Sequence, residues 1–171
     1  AIRIIETTEL KNDRVLVVYL PDCHESLAGI IAGRIREKYH RPAFVLTGGE
    51  TSAKGSGRSI ESYSMYEELV KCADLMIQFG GHPMAAGLSI EEKNIEEFRR
   101  RLNVNCTLTD EELRPKIVID VPMPVSYITK ELVEQISLLE PFGKGNTKPD
   151  FAQKNLKVID KRINGKNKNI E

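Results

Sequence analysis

The residues of this chain that are best suited to chemistry form a glycine-rich segment around one histidine. Residues 80–87 (GGHPMAAG) contain three glycines and two alanines. A backbone with so few side chains lets a ligand approach closely, and its amides can bind phosphate oxygens. His82 can donate a hydrogen bond to such an oxygen. A tight turn from a helix into a strand, with His82 as a packed spacer, explains the same residues equally well.

A second group of candidate residues lies in the preceding segment, residues 52–59 (SAKGSGRS). Small residues dominate it, so it is predicted to be a flexible stretch that follows a turn. Arg58 places a planar, permanently charged guanidinium beside the hydroxyl of Ser59, a pair suited to bidentate phosphate binding. Lys54 adds a second cation. The alternative for Arg58 is a solvated loop arginine.

The standard phosphate and metal motifs are incomplete in this sequence. Lys54 and Lys144 are each followed by glycine, where a Walker loop needs Ser or Thr. A two-metal hydrolase needs several converging Asp and His ligands, and the three histidines lie outside any such cluster. Asp22 is better explained as the cap of the helix that follows it. We therefore predict neither a catalytic residue nor a metal ligand in this chain.

The spacing of apolar residues predicts a strand, a helix and a second strand in residues 14–20, 25–39 and 43–47. Such a unit normally makes a right-handed crossover in a parallel sheet. The remaining predicted elements follow in chain order: a helix over 66–77, a short strand at 88–90, a helix over 94–102, a strand at 116–121, a helix over 129–139 capped by Thr129, and a strand at 155–160.

The composition is that of a folded globular protein, with 40% apolar and 29% charged residues among 171. No apolar run approaches the roughly 20 residues that span a bilayer, so no membrane partner is expected. The three cysteines form no CxxC pair, which argues against a disulfide framework or a zinc site and favours the cytoplasm. The net charge is zero, although residues 141–171 alone hold 8 basic and 3 acidic side chains. Because the first residue is Ala1, an internal fragment is expected.

Taken together, these segments resemble the DHH-associated domain of the bacterial RecJ family. The resemblance is carried by KGSGRS, by the helix through Cys72 and by FGGHPMAAGLSI, of which GGHPMAAG is the most specific part. The stretch HESLAGIIAGRIREKYHRPAFVL resembles the family's sequence before these motifs. Further along, LLEPFGKGNTKPDF resembles the start of the family's oligonucleotide-binding (OB) fold. The similarity covers nearly the whole chain in the family's order.

The resemblance implies a 5′ to 3′ exonuclease specific for single-stranded DNA, which acts in recombination and repair. In that family a separate DHH domain carries the catalytic Mn²⁺ or Mg²⁺, and it precedes the part seen here. The fragment alone is therefore expected to be inactive. Its expected partners are single-stranded DNA, the protein's own DHH domain, and a helicase or single-strand-binding protein. The residues expected to contact phosphates or terminal nucleotides are Lys54, Arg58, Ser59, Gly80, Gly81 and His82.

The expected architecture has three parts. Residues 1–105 form an α/β domain with a mixed sheet and flanking helices, residues 106–141 a strand and helix connector, and residues 142–171 a truncated OB-fold start. This last part holds one or two of the about five strands that an OB fold needs. Three alternatives remain: the substrate-binding domain of a DHH-family oligoribonuclease or cyclic-dinucleotide phosphodiesterase, a tRNA-binding module like the C-terminal part of alanyl-tRNA synthetase, and a protein-interaction domain. The OB start argues against the first two.

Overall fold

The computed structural model describes residues 1–49, 51–157, 159, 163–164 and 169–170. The chain divides into two compact units, Ala1–Pro115 and Lys116–Glu171. The expected three-part division into 1–105, 106–141 and 142–171 stays a prediction. Among the described residues, no helix has the length and apolar character needed to cross a membrane.

A five-stranded mixed sheet forms the centre of the first unit. Its strands are β1 (Leu16–Leu20), β2 (Ala43–Thr47), β3 (Ala53–Arg58), β4 (Met76–His82) and β5 (Ala85–Ile90). They lie in the order β1-β2-β3-β5-β4, with β1 and β2 parallel and the other pairs antiparallel. The predicted α/β class with a mixed sheet is confirmed.

Helices cover both faces of this sheet. They are α1 (Ile2–Thr7), which the sequence patterns did not predict, α2 (Glu25–Tyr39), α3 (Met65–Val70) and α4 (Ile95–Val104). The helix α2 packs its buried residues Ala28, Ala32 and Ile35 against β1 and β2 on one face. On the opposite face α4 inserts Phe98, whose ring lies 5.3 Å from that of Phe44. The two faces therefore have separate cores.

The start of α2 differs from the prediction in one residue. The bounds of the helix are as predicted, but its N-cap is His24 and not Asp22. The Nδ1 atom of His24 accepts a hydrogen bond from the backbone N–H of Ser26 at 3.3 Å. An imidazole nitrogen thus satisfies one of the free amides that every helix start leaves open.

The predicted flexible stretch at residues 52–59 is wrong, because most of it is the central strand β3. Its glycines face the apolar core. A Cβ atom at Gly55 would lie 2.5 Å from Cδ2 of Leu46, and one at Gly57 would lie 2.5 Å from Sδ of Met65. Large neighbouring side chains fill the space that a β3 side chain would take. Glycine marks close packing here, as it often does inside strands.

The predicted helix over 66–77 and the predicted glycine loop over 80–87 are also wrong in extent. The helix ends at Val70, a 3-10 turn follows at Ala73–Leu75, and β4 begins at Met76. The glycine segment forms the end of β4, a turn at residues 83–84 and the first half of β5, and is therefore a β-hairpin. The apolar spacing misled because Ile77 lies at an irregular point of an edge strand, where it is exposed.

The second unit contains the helix α5 (Lys130–Ser137) and two pairs of short strands. Thr129 caps α5 as predicted, since its side chain accepts from the N–H of Leu132. The strands β6 (Val121–Pro122) and β7 (Phe151–Ala152) pair in parallel, and β8 (Ile163–Asn164) pairs with β9 (Asn169–Ile170). Of the predicted strand at 116–121 only its last residue is extended in a sheet. Residues 155–157 and 159 are not in a strand, and 158 and 160 lie outside the described residues.

The packing of β3 gives a stability prediction. Gly57→Ala forces a methyl group against Phe44 and Met65, which are both fully buried, and should lower the free energy of unfolding by about 1–3 kcal/mol. Gly33→Ala in α2 is the matched control. Its Cβ atom meets nothing within 4 Å, and alanine should stabilise the helix by about 1 kcal/mol. Urea unfolding followed by circular dichroism measures both, and equal stabilities would contradict the close packing.

Candidate functional site

The helix α2 packs over β2 and β3 and leaves the same face of β5 and β4 open. A groove of about 560 Å³ lies there, beside the start of α2. Residues directly opposite each other on neighbouring strands point to the same face. Three such rows cross the strands: Arg58, Ala85 and His82; Ser56, Gly87 and Gly80; Lys54, Ser89 and Gln78. The last two rows line the groove together with Glu25 and Ser26 at the start of α2. The first row adjoins them along the strands.

The middle row of the groove has little side-chain cover. A Cβ atom at Gly80 would meet no heavy atom within 4 Å, and one at Gly87 would meet only the carbonyl oxygen of Gly55, at 3.8 Å. Packing therefore requires neither glycine. Gly81 differs, because its φ is +151° and its Cβ would lie 2.4 Å from the carbonyl oxygen of Ala85. Gly81 shapes the hairpin, whereas Gly80 and Gly87 leave the floor of the groove open.

Arg58 lies half-buried at the end of β3, against α2. Its Nη1 donates to Oγ of Ser56 at 3.2 Å and to the carbonyl oxygen of Gly57 at 2.8 Å. A Cβ atom at Gly29 of α2 would lie 2.9 Å from Nη2 of Arg58, so the helix has a glycine where the guanidinium passes. In the described part of the chain, no carboxylate is paired with Arg58. Its charge is held in place and is not compensated by any described carboxylate.

Lys54 lies at the other end of the same face of β3 and does have a partner. Its Nζ lies 2.6 Å from Oε2 of Glu25, the first residue of α2. The hydrogen bond from Lys54 lowers the pKa of Glu25 below its ordinary value. The two candidate cations thus differ, because Lys54 is neutralised by Glu25 and Arg58 has no such partner among the described residues.

Ser59 is buried, with 1% of its surface exposed, and its side chain lies outside the groove lining. Its hydroxyl donates to the carbonyl oxygen of Tyr63 at 2.5 Å. Its backbone N–H donates to the carbonyl oxygen of Met84 in the hairpin turn at 2.9 Å. His82 is exposed at the end of β4. Ser59 therefore fixes the hairpin that carries His82.

Comparison with known proteins now identifies the family. The model of the DHHA1 domain matches residues 12–107, and the model of the RecJ OB domain matches residues 119–170. The chain belongs to the RecJ family. It is 36% identical to the single-stranded-DNA-specific exonuclease RecJ of Bacillus subtilis over 172 residues, which cover 98% of this chain and 22% of that protein. With RecJ of Escherichia coli it shares 33% identity, over 96% of this chain and 30% of that protein.

Two solved RecJ structures from Thermus thermophilus share the fold. The one in complex with Mn²⁺ has a TM-score of 0.77 and 28% identity over 88% of this chain, and the one with Mg²⁺ a TM-score of 0.74 over 86%. They are matched over 22% and 23% of their own lengths. The chain therefore spans between a fifth and a third of the RecJ proteins it matches.

No metal centre is found in the part of this RecJ-family chain that the structure describes. There, no group of three or more His, Cys, Asp or Glu side chains could hold a metal ion. Burial raises the pKa of the Cys72 and Cys106 thiols, which keeps both protonated and unreactive. The polar groups that line the groove are the Lys54 ammonium, the Glu25 carboxylate, serine hydroxyls and the Gln78 amide, beside the open backbone of two glycines.

Of the six residues singled out from the sequence, five lie on or beside the groove strands β3 and β4, and Ser59 lies beneath the hairpin turn. Sequence reasoning missed Glu25, Ser56, Gln78 and Ser89. The alternation in Lys54 to Arg58, with glycine at every second position, was the available signal. A strand with that period has its Lys, Ser and Arg side chains on one face.

The buried hydroxyl of Ser59 yields a test of its structural role. Ser59→Ala leaves the carbonyl oxygen of Tyr63 without its donor and should lower the free energy of unfolding by about 1–3 kcal/mol. The control Ser62→Ala removes an exposed hydroxyl and should change stability by less than about 0.5 kcal/mol. Urea unfolding measures both, and a Ser59→Ala variant as stable as the control would rule out this role.

Proposed function

We propose that this chain is the single-stranded-DNA-binding portion of a RecJ-like 5′ to 3′ exonuclease that acts in recombination and repair. The observation that carries the proposal is the uncompensated guanidinium of Arg58, held at the end of an open groove in a DHHA1 domain. A fixed planar cation is the side chain best matched to a phosphate group. The curated relatives are named as single-stranded-DNA-specific exonucleases, which supports DNA as the source of that phosphate.

In this proposal a DNA backbone lies across the rows of the groove. Arg58 and the exposed His82 belong to the same row and contact one phosphate. The bare row of Gly80 and Gly87 lets the sugar and phosphate approach the sheet closely. Lys54 is the second cation available to the strand. Gly81 shapes the hairpin and the backbone N–H of Ser59 holds its turn. Both roles differ from the direct contacts first expected of these two residues.

Catalysis in this proposal belongs to the protein's DHH domain, and the chain by itself is expected to be inactive. The Mn²⁺ and Mg²⁺ of the Thermus thermophilus RecJ structures support a divalent metal for that reaction. The match to the RecJ OB domain supports a second contact with single-stranded DNA and favours a RecJ-like nuclease over the oligoribonuclease, cyclic-dinucleotide and tRNA-binding alternatives. A cytoplasmic location and a helicase or single-strand-binding partner remain expectations from the resemblance.

The decisive variant is Arg58→Ala. Loss of one charge-assisted phosphate contact should weaken binding of a fluorescently labelled oligo-dT by about tenfold. The slope of log K against log salt should become shallower by about 0.7, the contribution of one phosphate on a single strand. Fluorescence anisotropy of the 171-residue chain at several salt concentrations measures both quantities.

Arg100→Ala is the matched control for this experiment. It removes the same charge from α4, which lies on the opposite face of the sheet and pairs Arg100 with Glu97. Its affinity and salt slope should stay close to those of the wild type. If Arg58→Ala and Arg100→Ala behaved alike, Arg58 would be a solvated arginine and the proposal would lose its main support.

The open glycine row predicts an unusual combination of effects. Gly80→Ala and Gly87→Ala each place a methyl group in the groove without a clash inside the protein, so stability should stay equal or rise. Binding of oligo-dT should fall by roughly tenfold, because the methyl group keeps the DNA backbone from the sheet. Gly33→Ala, which lies outside the groove lining, should bind as the wild type does. Unchanged binding in both groove variants would show that the ligand does not cross this row.

A further inference from the structure

An acidic side chain is unexpected in a groove that is proposed to bind phosphates. Glu25 belongs to the groove lining, and its carboxylate spans from α2 to the ammonium of Lys54 on β3, at 2.6 Å. The two side chains remain 51% and 56% exposed. They therefore meet at the surface of the groove, where a ligand can reach both.

The position of Lys54 makes it a natural second anchor for a bound strand. Lys54 and Arg58 project from the same face of β3 and are four residues apart, which corresponds to roughly 13 Å along the strand. A DNA strand held at Arg58 that continues along β3 brings a later phosphate to Lys54. In the free protein, however, the carboxylate of Glu25 already occupies the position of that anion.

We propose that Glu25 is a built-in competitor, whose carboxylate stands in for a DNA phosphate at Lys54 until a strand displaces it. The proposal rests on the proposed function, since it adds a second phosphate position to the same groove. As a consequence, the groove binds a phosphate directly at Arg58, whereas Lys54 binds one only after its ion pair with Glu25 is broken. Weakly held segments of DNA gain no contact from Lys54 unless they break the ion pair.

Two physical features make such a competitor workable. Glu25 is the first residue of α2, where the helix dipole favours a negative charge, and the lowered pKa keeps the carboxylate ionised at neutral pH. An ion pair between two exposed side chains is nevertheless weak, because solvent screens it and ordering the side chains opposes it. A phosphate can therefore replace the carboxylate without disturbing the fold.

Glu25→Gln tests the proposal with the 171-residue chain and labelled oligo-dT. The variant keeps the size of the side chain and frees Lys54, so it should bind more tightly at low salt. The slope of log K against log salt should steepen by about 0.7. Between about 50 mM and about 200 mM salt, its affinity should therefore fall roughly threefold more than that of the wild type.

Glu37→Gln is the control for total charge, because it makes the same change on α2 outside the groove lining, where Glu37 pairs with Arg34 and Arg36. It should leave the slope unchanged. Lys54→Ala should have a small effect in the wild type, where Glu25 neutralises it, and should abolish the gain in the Glu25→Gln background. Non-additivity in this double-mutant cycle is the specific signature of competition.

Several outcomes overturn the proposal. Weaker binding by Glu25→Gln would mean that the carboxylate contacts the DNA directly, for example a nucleobase amino group. Equal gains in affinity for Glu25→Gln and Glu37→Gln, or additive effects with Lys54→Ala, would mean that Glu25 influences binding only through the total charge of the chain. If Arg58→Ala weakens binding while Glu25→Gln leaves it unchanged, the competitor fails and the proposed function stands. If neither the wild type nor Glu25→Gln binds oligo-dT, both fail.

Discussion

The first unit depends on the two-sided character of its central strand. The core-facing residues of β3 are Ala53 and two glycines, Gly55 and Gly57. Phe44, Leu46 and Met65 fill the space that larger side chains would take at the two glycines. The residues between them, Lys54, Ser56 and Arg58, then necessarily share the opposite face. Close packing on one side of the sheet thereby sets the direction of every polar side chain on the other side. The polar face of β3 is therefore a consequence of the core.

The helix α2 completes this arrangement through its position. It packs over β2 and β3 with small residues and leaves β5 and β4 open, so a groove remains beside it. Where it approaches β3, Gly29 leaves room for the guanidinium of Arg58, and Glu25 reaches Lys54. One helix therefore positions one cation and neutralises the other. Charge in the groove is distributed unevenly as a result, although β3 provides both cations.

The sequence predicted the helices and strands whose buried residues form one continuous apolar face. It gave wrong elements where glycine could indicate either an open loop or close packing. The β1, α2 and β2 unit and the helix α4 follow from apolar spacing alone. The glycines of β3 predicted flexibility and those of the hairpin predicted a loop, whereas in β3 glycine marks contacts with residues distant in the chain. Such contacts are invisible before the strands are paired. The same limit hid Gln78 and Ser89, which reach the groove through the sheet register, and Glu25, which reaches it from the start of α2.

A chain of zero net charge can still be suited to binding nucleic acid. The residues that attract the polyanion and the residues that contact it can lie in different segments. Residues 141–171 carry 8 basic and 3 acidic side chains, a difference of 5, and this segment overlaps the match to the RecJ OB domain. An excess of that size attracts a polyanion over a distance set by the salt concentration. In the proposed function, the first unit contributes instead a fixed guanidinium and an open floor, which act only at contact. Several carboxylates of this unit lie away from the groove, where they pair with arginines of α4 on the other face of the sheet.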